Sequence, residues 1–402
     1  MAEWIECKIC DIGTVVGGAT PSTKKAENYE CGNIAWITPK DLSTFNGRYI
    51  QRGERNITEI GLKSCSTQLL PKNTVLFSSR APIGYIAIAA NQVCTNQGFK
   101  SVIPNEATDP LFLFYLLKHN KDKIEAMGSG TTFKEVSGNT MKNIIVRVPS
   151  DKEVQKNIAS ILGTLDNKIE ENERINNNLY DILNLSYTEL YLNQCETHPE
   201  WNESNIGETT SKFATGLNPR KNFKLGEGNN YYVTIKNMAN NRIYLDSKCD
   251  NVTDEALIKI NKRSDLQIDD CLFSGIGTIG RVHHIHKTPV NWNISESIFT
   301  LRANEKISSQ FLYLLLLSDD LQNYTNSLAS GSAQKGIRKA DFVKYKFKLP
   351  DASYMKYLTD TWEPIINLIH ENEDQNDTLI SLRDQLLPKL MSGEIDVSVL
   401  DI

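Results

Sequence analysis

The chain lacks most of the signatures by which a sequence of 402 residues announces a chemistry or an address. No stretch approaches the roughly 20 apolar residues of a membrane-spanning helix, so no membrane is expected among its partners. The opening Met-Ala-Glu-Trp-Ile-Glu-Cys has neither a basic start nor an apolar core, and no signal peptide is expected. The eight cysteines are scattered, unlike a secreted disulfide framework, and the expected location is a reducing cytoplasm. There is no Gly-x-x-x-x-Gly-Lys-Ser/Thr phosphate loop, no His-Glu-x-x-His pair and no Gly-x-Ser-x-Gly elbow. The Asn/Asp-Pro-Pro-Phe/Tyr motif of amino-methyltransferases is missing too. No catalytic residue is expected.

Three partial motifs are read as ordinary structure. Cys7-x-x-Cys10 has no second pair at zinc-site spacing. In His283-His284-x-His286 only His284 and His286 share a strand face, and no metal site is expected there. Gly275-x-Gly277-x-x-Gly280 has the spacing of a dinucleotide fingerprint without the βαβ context, and reads as a turn.

What the chain does have, it has twice. Ile169, Glu171-Asn172-Glu173, Asn176, Leu179 and Leu190 recur 200 positions later as Ile369, Glu371-Asn372-Glu373, Asn376, Leu379 and Leu390. Leu76-Phe77-Ser78 with Ile83-Gly84 recurs as Leu272-Phe273-Ser274 with Ile279-Gly280, at an offset of 196. Two copies at so long a period exclude a solenoid and suggest a pseudo-twofold object.

Each copy pairs a mixed globular part with a long helix. β-type runs, punctuated by Gly and Pro, fall at residues 34–38, 74–77 and 86–88, and again at 231–235, 271–273 and 281–283. Apolar runs at 111–117 and 311–317 suit buried helices. Ser150-Asp151-Lys152-Glu153 reads as a capping box opening a helix over 151–194, roughly 65 Å long at 1.5 Å per residue. Heptad seams run through Ile158, Leu165, Asn172 and Leu179 and through Leu162, Ile169, Asn176 and Leu183. They repeat through Leu358, Ile365, Asn372 and Leu379 and through Trp362, Ile369, Asn376 and Arg383, where Arg383 interrupts the stripe. Pro364 is expected to bend or restart the second helix. Seam asparagines fix register and partner. In an antiparallel pair, Asn172 should meet Asn376 and Asn176 should meet Asn372, each within about 10 Å.

The net charge of −5 hides a segregation. Residues 162–196 carry −5 and residues 351–377 carry −6, leaving +6 for the rest. Lys335, Arg338, Lys339, Lys344, Lys346 and Lys348 face only Asp341, and Lys212, Arg220, Lys221 and Lys224 occur with no acid between them. Such patches can meet phosphates. Basic heads on a rigid spacer suggest a target with two sites at fixed separation, such as double-stranded DNA with a split sequence. A coiled-coil scaffold holding two protein partners keeps the same duplication. A methyltransferase with fused recognition domains is disfavoured, because no room is left for a cofactor domain.

Several motifs resemble the specificity subunits of Type I restriction–modification systems. They are Leu382-Arg383-x-x-Leu386-Leu387-Pro388-Lys389-Leu390-Met391-Ser392-Gly393-Glu394-Ile395 and Gln155-x-x-Ile158-Ala159-x-Ile161-Leu162-x-x-Leu165-Asp166. The paired Thr38-Pro39-Lys40-Asp41-Leu42 and Thr234-Ile235-Lys236-Asn237-Met238 belong with them, as do Leu76-Phe77-Ser78-Ser79-Arg80 and Gly128-Ser129-Gly130-Thr131. The start of the second helix, Asp351-Ala352-Ser353-Tyr354, departs from the family's Pro-rich, Glu-Gln start.

The resemblance implies a mixed α/β chain. Two target recognition domains (1–149 and 196–350), each a twisted sheet with short helices, would be separated by conserved helices (150–195 and 351–402). Those helices would pack as an antiparallel coiled coil with pseudo-twofold symmetry. Each domain would read half of a bipartite DNA sequence, and the helices would dock two modification subunits, through which restriction subunits join. S-adenosylmethionine, ATP and Mg would belong to those partners, with no cofactor in this chain. Within that frame, the residues favoured for DNA contact are Lys40, Arg80, Thr131, Thr132 and Lys134 in copy one and Lys236, Arg281, Gln334, Lys335 and Arg338 in copy two. Base contacts need such side chains in a groove.

Overall fold

A computed structural model of the chain describes residues 3–130, 134–329 and 336–398. It divides into two compact units, Met1–Asn172 with Asp374–Ile402, and Glu173–Glu373. Both boundaries cut across long helices, not at their starts. The partition differs from the four-part division along the chain because each half of a helix packs on its own globular part.

In the first unit a five-stranded sheet runs in the order Gly13–Gly17, Lys100–Pro104, Val75–Phe77, Ile86–Ala89, Tyr49–Ile50. All its pairings are antiparallel except the last, where Tyr49 lies beside Ile88 in parallel. A three-stranded sheet sets Ile34–Ile37 between Arg55–Ile57 and Cys94–Thr95. Trp4–Lys8 pairs antiparallel with Ile145–Pro149, which closes the globular part just before the long helix. The apolar run expected as a helix is the helix Pro110–His119. Asp109 caps it, accepting from the backbone N–H of Leu111 and Phe112 at 2.9 Å. Phe112 through Leu117 are all buried, which explains why the run shows no polar face.

The second unit repeats this plan. Thr210–Thr215, Ile298–Ala303, Cys271–Ser274 and Val282–His284 form a four-stranded antiparallel sheet. Asn230–Val233 lies between Asp250–Val252 and Trp292–Ile294, and Asn202–Asn205 pairs with Lys346–Leu349. The apolar helix is Ser309–Leu317, capped by Ser308. One difference stands out: where the first unit adds Tyr49–Ile50 to its large sheet, the second folds Met238–Ala239 back on Arg242–Ile243 as a separate hairpin.

The long helices are Lys152–Tyr187, which continues through a π turn at Thr188–Leu192 and a 3-10 turn at Asn193–Cys195, and Ala352–Ser392. Asp151, not Ser150, caps the first, accepting from Glu153 N–H at 2.9 Å. Ser150 N–H is already engaged by the carbonyl of Glu3. The second helix is capped by the equivalent Asp351, which accepts from the N–H groups of Ser353 and Tyr354, so both helices start with one device despite their differing sequences. Contrary to expectation, Pro364 does not restart the second helix, which is α-helical on both sides of it. Proline removes a single intrahelical bond, and burial of Trp362, Ile366 and Ile369 around it keeps the helix continuous.

Within each unit the helix segments run antiparallel. In the first, Asn172 donates to Asn376 Oδ1 at 2.9 Å while Asp166 meets Arg383 at 2.8 Å. In the second, Asn372 donates to Asn176 Oδ1 at 2.8 Å while Trp362 Nε1 donates to Ser186 Oγ at 2.8 Å. The asparagine pairs expected from the seam are therefore in direct contact. Each is locked further by a backbone carbonyl: Asn376 donates to Ile169 O, and Asn176 donates to Ile369 O. Arg383, which seemed to interrupt the stripe, answers the buried Asp166.

Candidate nucleic-acid interface

Each globular part carries the same hydrogen-bonded loop frame. In the first unit, Gly84 N–H donates to Ser78 O and Tyr85 N–H to Ser78 Oγ. In the second, Gly280 N–H donates to Ser274 O and Arg281 N–H to Ser274 Oγ. Gly84 and Gly280 have φ of +92° and +93°, a region where a side chain is strained, so both turns need glycine. The turns link antiparallel strands, Val75–Phe77 to Ile86–Ala89 and Cys271–Ser274 to Val282–His284. Gly275-x-Gly277-x-x-Gly280 is thus a hairpin turn and not a dinucleotide loop.

The frame extends to two further loops. Ser79 N–H donates to Gly98 O, and Val136 N–H donates to Ser79 O. Correspondingly, Gly275 N–H donates to Ser297 O, and Ile337 N–H donates to Gly275 O. Gly98 backs onto the next loop, since a Cβ there would lie 2.9 Å from Pro39 Cγ. So the hairpin turn, the 96–98 loop, the 38–41 turn and residues 134–136 form one surface in the first unit. In the second, the turn, the 295–297 loop and residues 336–338 do the same. The 234–238 turn joins them through Arg281, whose Nη1 donates to the carbonyls of Ile235 and Met238.

The described residues among those favoured for DNA contact fall on this frame with different degrees of freedom. Lys40 is exposed on the short helix Pro39–Ser43, whose Asp41 accepts from Thr38 N–H at 2.7 Å. Its ammonium pairs with Glu54 at 2.7 Å, and that hydrogen bond and charge hold its pKa above the usual lysine value. Lys236 is exposed on the one-turn helix Ile235–Asn237, where Asn237 plays the part of Asp41, accepting from Thr234 N–H at 2.9 Å. Arg80 is half-exposed and meets Glu135 at 3.0 Å, and Lys100 reaches the same carboxylate at 3.3 Å. Lys134 and Arg338 are exposed beside these contacts.

Arg281 is placed differently. Arg80 is matched in the second frame by Ile276, since they bridge to Glu135 and Gly336 respectively, whereas Arg281 is matched by Tyr85. The Arg281 guanidinium is used on backbone carbonyls, positioning the loop that bears Lys236. Thr131, Thr132, Gln334 and Lys335 lie outside the described residues.

A polar feature passed over in the sequence adjoins Lys40. A cleft of about 410 Å³ is lined by Asn33, Gln51, Arg52, Asn56 and Asn91, side chains of the kind that read base edges. Its donors come from separate strands and loops, so no local motif marked them. Gln51 and Arg52 also line a neighbouring cleft with Lys40, Tyr49 and Glu54.

Each globular part is tied to its helix by an arginine, Arg48 after the 38–41 turn and Arg242 in the strand Arg242–Ile243. Arg48 is buried, with Nε 3.0 Å from Glu170 Oε1, Nη1 on the carbonyl of Gly163 and Nη2 on Asn167. Burial opposes its charge, but Glu170 outweighs that and raises its pKa. Arg242 donates to the carbonyl of Glu373 at 3.3 Å. Among the described residues, no helix is long and apolar enough to cross a membrane.

Comparison with known proteins agrees with this duplicated plan. A family model described as Type I restriction modification DNA specificity domain matches residues 1–180 and again 199–376. The chain is 30% identical to the Type I restriction enzyme MjaIX specificity subunit of Methanocaldococcus jannaschii, over 99% of this chain and 95% of that one. It is 22% identical to the HindI specificity subunit of Haemophilus influenzae, over 98% of this chain and all of that one. The crystal structure of a Type I restriction–modification S subunit from M. genitalium superposes with a TM-score of 0.57 at 17% identity, covering 97% of this chain and 96% of that one, which shows the shared fold.

Proposed function

The chain belongs to the Type I restriction–modification DNA specificity family as a specificity subunit, and from that premise we propose that it reads a bipartite double-stranded DNA target, one globular part per half-site. The observation that carries this reading is the loop frame built twice with the same backbone bonds and different side chains. A constant frame with variable occupants suits two modules that dock alike and read different bases. Lys40, Arg80, Lys134, Lys236 and Arg338 supply the charge for phosphate and base contact, and Asn33, Gln51, Arg52 and Asn56 add base-reading groups in the first unit.

The same reading assigns the helices to docking two modification subunits, with restriction subunits joining through them. S-adenosylmethionine, ATP and Mg act on those partners, the chain transfers no methyl group alone, and the complex works in the cytoplasm. The family match disfavours a scaffold for two unrelated protein partners. Methylome sequencing of the host with and without this gene tests the proposal. The expected result is loss of one bipartite adenine-methylated motif. An unchanged methylome in a host whose modification subunit is expressed overturns it.

A further inference from the structure

Two of the chain's six histidines, His286 and His370, gather with the carboxylate of Glu373 inside the second unit, and a third, His284, packs against His370. His284 ends the strand Val282–His284, and His286 follows two positions later on the same side. His370 and Glu373 lie one turn apart on the helix Ala352–Ser392, so both project from one helix face. His284 Nδ1 is 3.1 Å from His370 Nε2, and His370 Nδ1 is 3.4 Å from Glu373 Oε2. The rings of His286 and His370 are stacked, with centroids 4.2 Å apart. One donor atom from each of His286, His370 and Glu373 can be chosen so that all lie within 4.8 Å of one another. His284, His370 and Glu373 are buried, while His286 is half-buried and gives the cluster its access to solvent.

The fold does not require this cluster. The equivalent strand of the first unit pairs Ile88 with Val75 as His284 pairs with Cys271. The positions matching His284, His286, His370 and Glu373 are thus Ile88, Ala90, Glu170 and Glu173. There the helix position is used by Glu170 to hold Arg48. A core served by isoleucine and alanine in one copy has been given imidazoles in the other, and it keeps them beside a carboxylate.

We propose that His286, His370 and Glu373 form a binding site for a divalent transition metal ion, zinc being the member that fits best. Two imidazole nitrogens and one carboxylate oxygen, with the fourth tetrahedral position left to water, are a donor set for zinc, cobalt or nickel, and a poor one for magnesium or calcium. Bonds of about 2.0–2.2 Å place tetrahedral donors about 3.4 Å apart. Because an imidazole donates in the plane of its ring, loading requires the His286 ring to turn out of its stack on His370, which its half-buried place beyond the end of a strand allows. The ion would cross-link the recognition hairpin of the second unit to its helix segment, adding binding energy to a junction otherwise held by hydrogen bonds.

The untagged full-length chain, stripped with a chelator and dialysed, should take up one equivalent of zinc in competition with a chromophoric chelator, and its thermal midpoint should rise on loading. Cobalt at the same stoichiometry should give the strong visible absorption of a tetrahedral site. His286→Ala and His370→Asn should each weaken binding by about tenfold or more, whereas His119→Ala should not. If His370→Asn fails to fold, His286→Ala alone decides. Wild-type uptake no tighter than that of His286→Ala, or binding only at millimolar zinc, overturns the proposal and leaves the cluster a hydrogen-bonded core. None of these readouts depends on DNA binding or on methylation.

Discussion

Asp166 and Arg383 make the sharpest case at the scale of single residues. Burial pulls the Asp166 carboxyl upward, but Lys118, the Tyr115 hydroxyl at 2.6 Å and Arg383 at 2.8 Å together hold it below the usual aspartate range. A depressed folded-state pKa contributes stability that is fully present above the unfolded value, about 3.9, and is lost as pH falls through the folded one. Asp166→Asn should therefore lower the denaturation midpoint at neutral pH and flatten its fall below about pH 4, followed by urea unfolding across pH. Arg383→Met should cost more, about 3–5 kcal/mol, because it strands a buried charge. A change within error at pH 7 would show that the pair is solvent-relaxed. The frame arginines separate by role: Arg80→Ala should weaken DNA binding by about 1–3 kcal/mol with the fold intact. Arg281→Ala should instead speed amide exchange at residues 235–238, because it releases the carbonyls of Ile235 and Met238. Equal exchange in the two variants would contradict that division.

At the scale of elements, the seam asparagines act as register pins. Asn376→Ala leaves the buried Asn172 amide without one partner and should cost about 1–3 kcal/mol. Replacing both Asn172 and Asn376 with Leu should recover the loss and loosen register, since apolar seams pair less selectively. A double-mutant cycle by chemical denaturation reads the coupling, and additive effects would show that the pair does not act as a unit. These helices were legible in the sequence because a heptad stripe and, for the first, a capping sequence are local patterns. The capping residue was misplaced by one position because Ser150 and Asp151 are both competent, and only the pairing of Ser150 with Glu3 decides between them. The restart at Pro364 failed for the opposite reason: a local penalty of a lost hydrogen bond and a ring clash loses to the burial of Trp362 and Ile366, which the chain alone does not display.

At the scale of the whole molecule, duplication with divergent heads predicts two different half-sites. Ser79-Arg80-Ala81-Pro82 and Gly275-Ile276-Gly277-Thr278 occupy the same place in the two frames. The methylated motif should accordingly be asymmetric, and identical half-sites in the methylome would count against reading by these turns. Substituting residues of the Asn33, Arg52 and Asn56 cleft should alter one half of the motif and leave the other unchanged.

By itself the sequence determined the repeat, the two long helices, the buried apolar helices at 111–117 and 311–317 and the pairing of the seam asparagines. All of these follow from periodicity or from offsets that survive without a structure. Only the tertiary structure decided which charged side chains are free to meet a ligand and which are spent internally. Arg281 is committed to backbone carbonyls, Arg48 to a glutamate 122 residues away, and His370 to histidines 84 and 86 residues before it. Such partnerships depend on chain closure over long separations, where identity and spacing carry no signal and burial sets which polar groups must find one another.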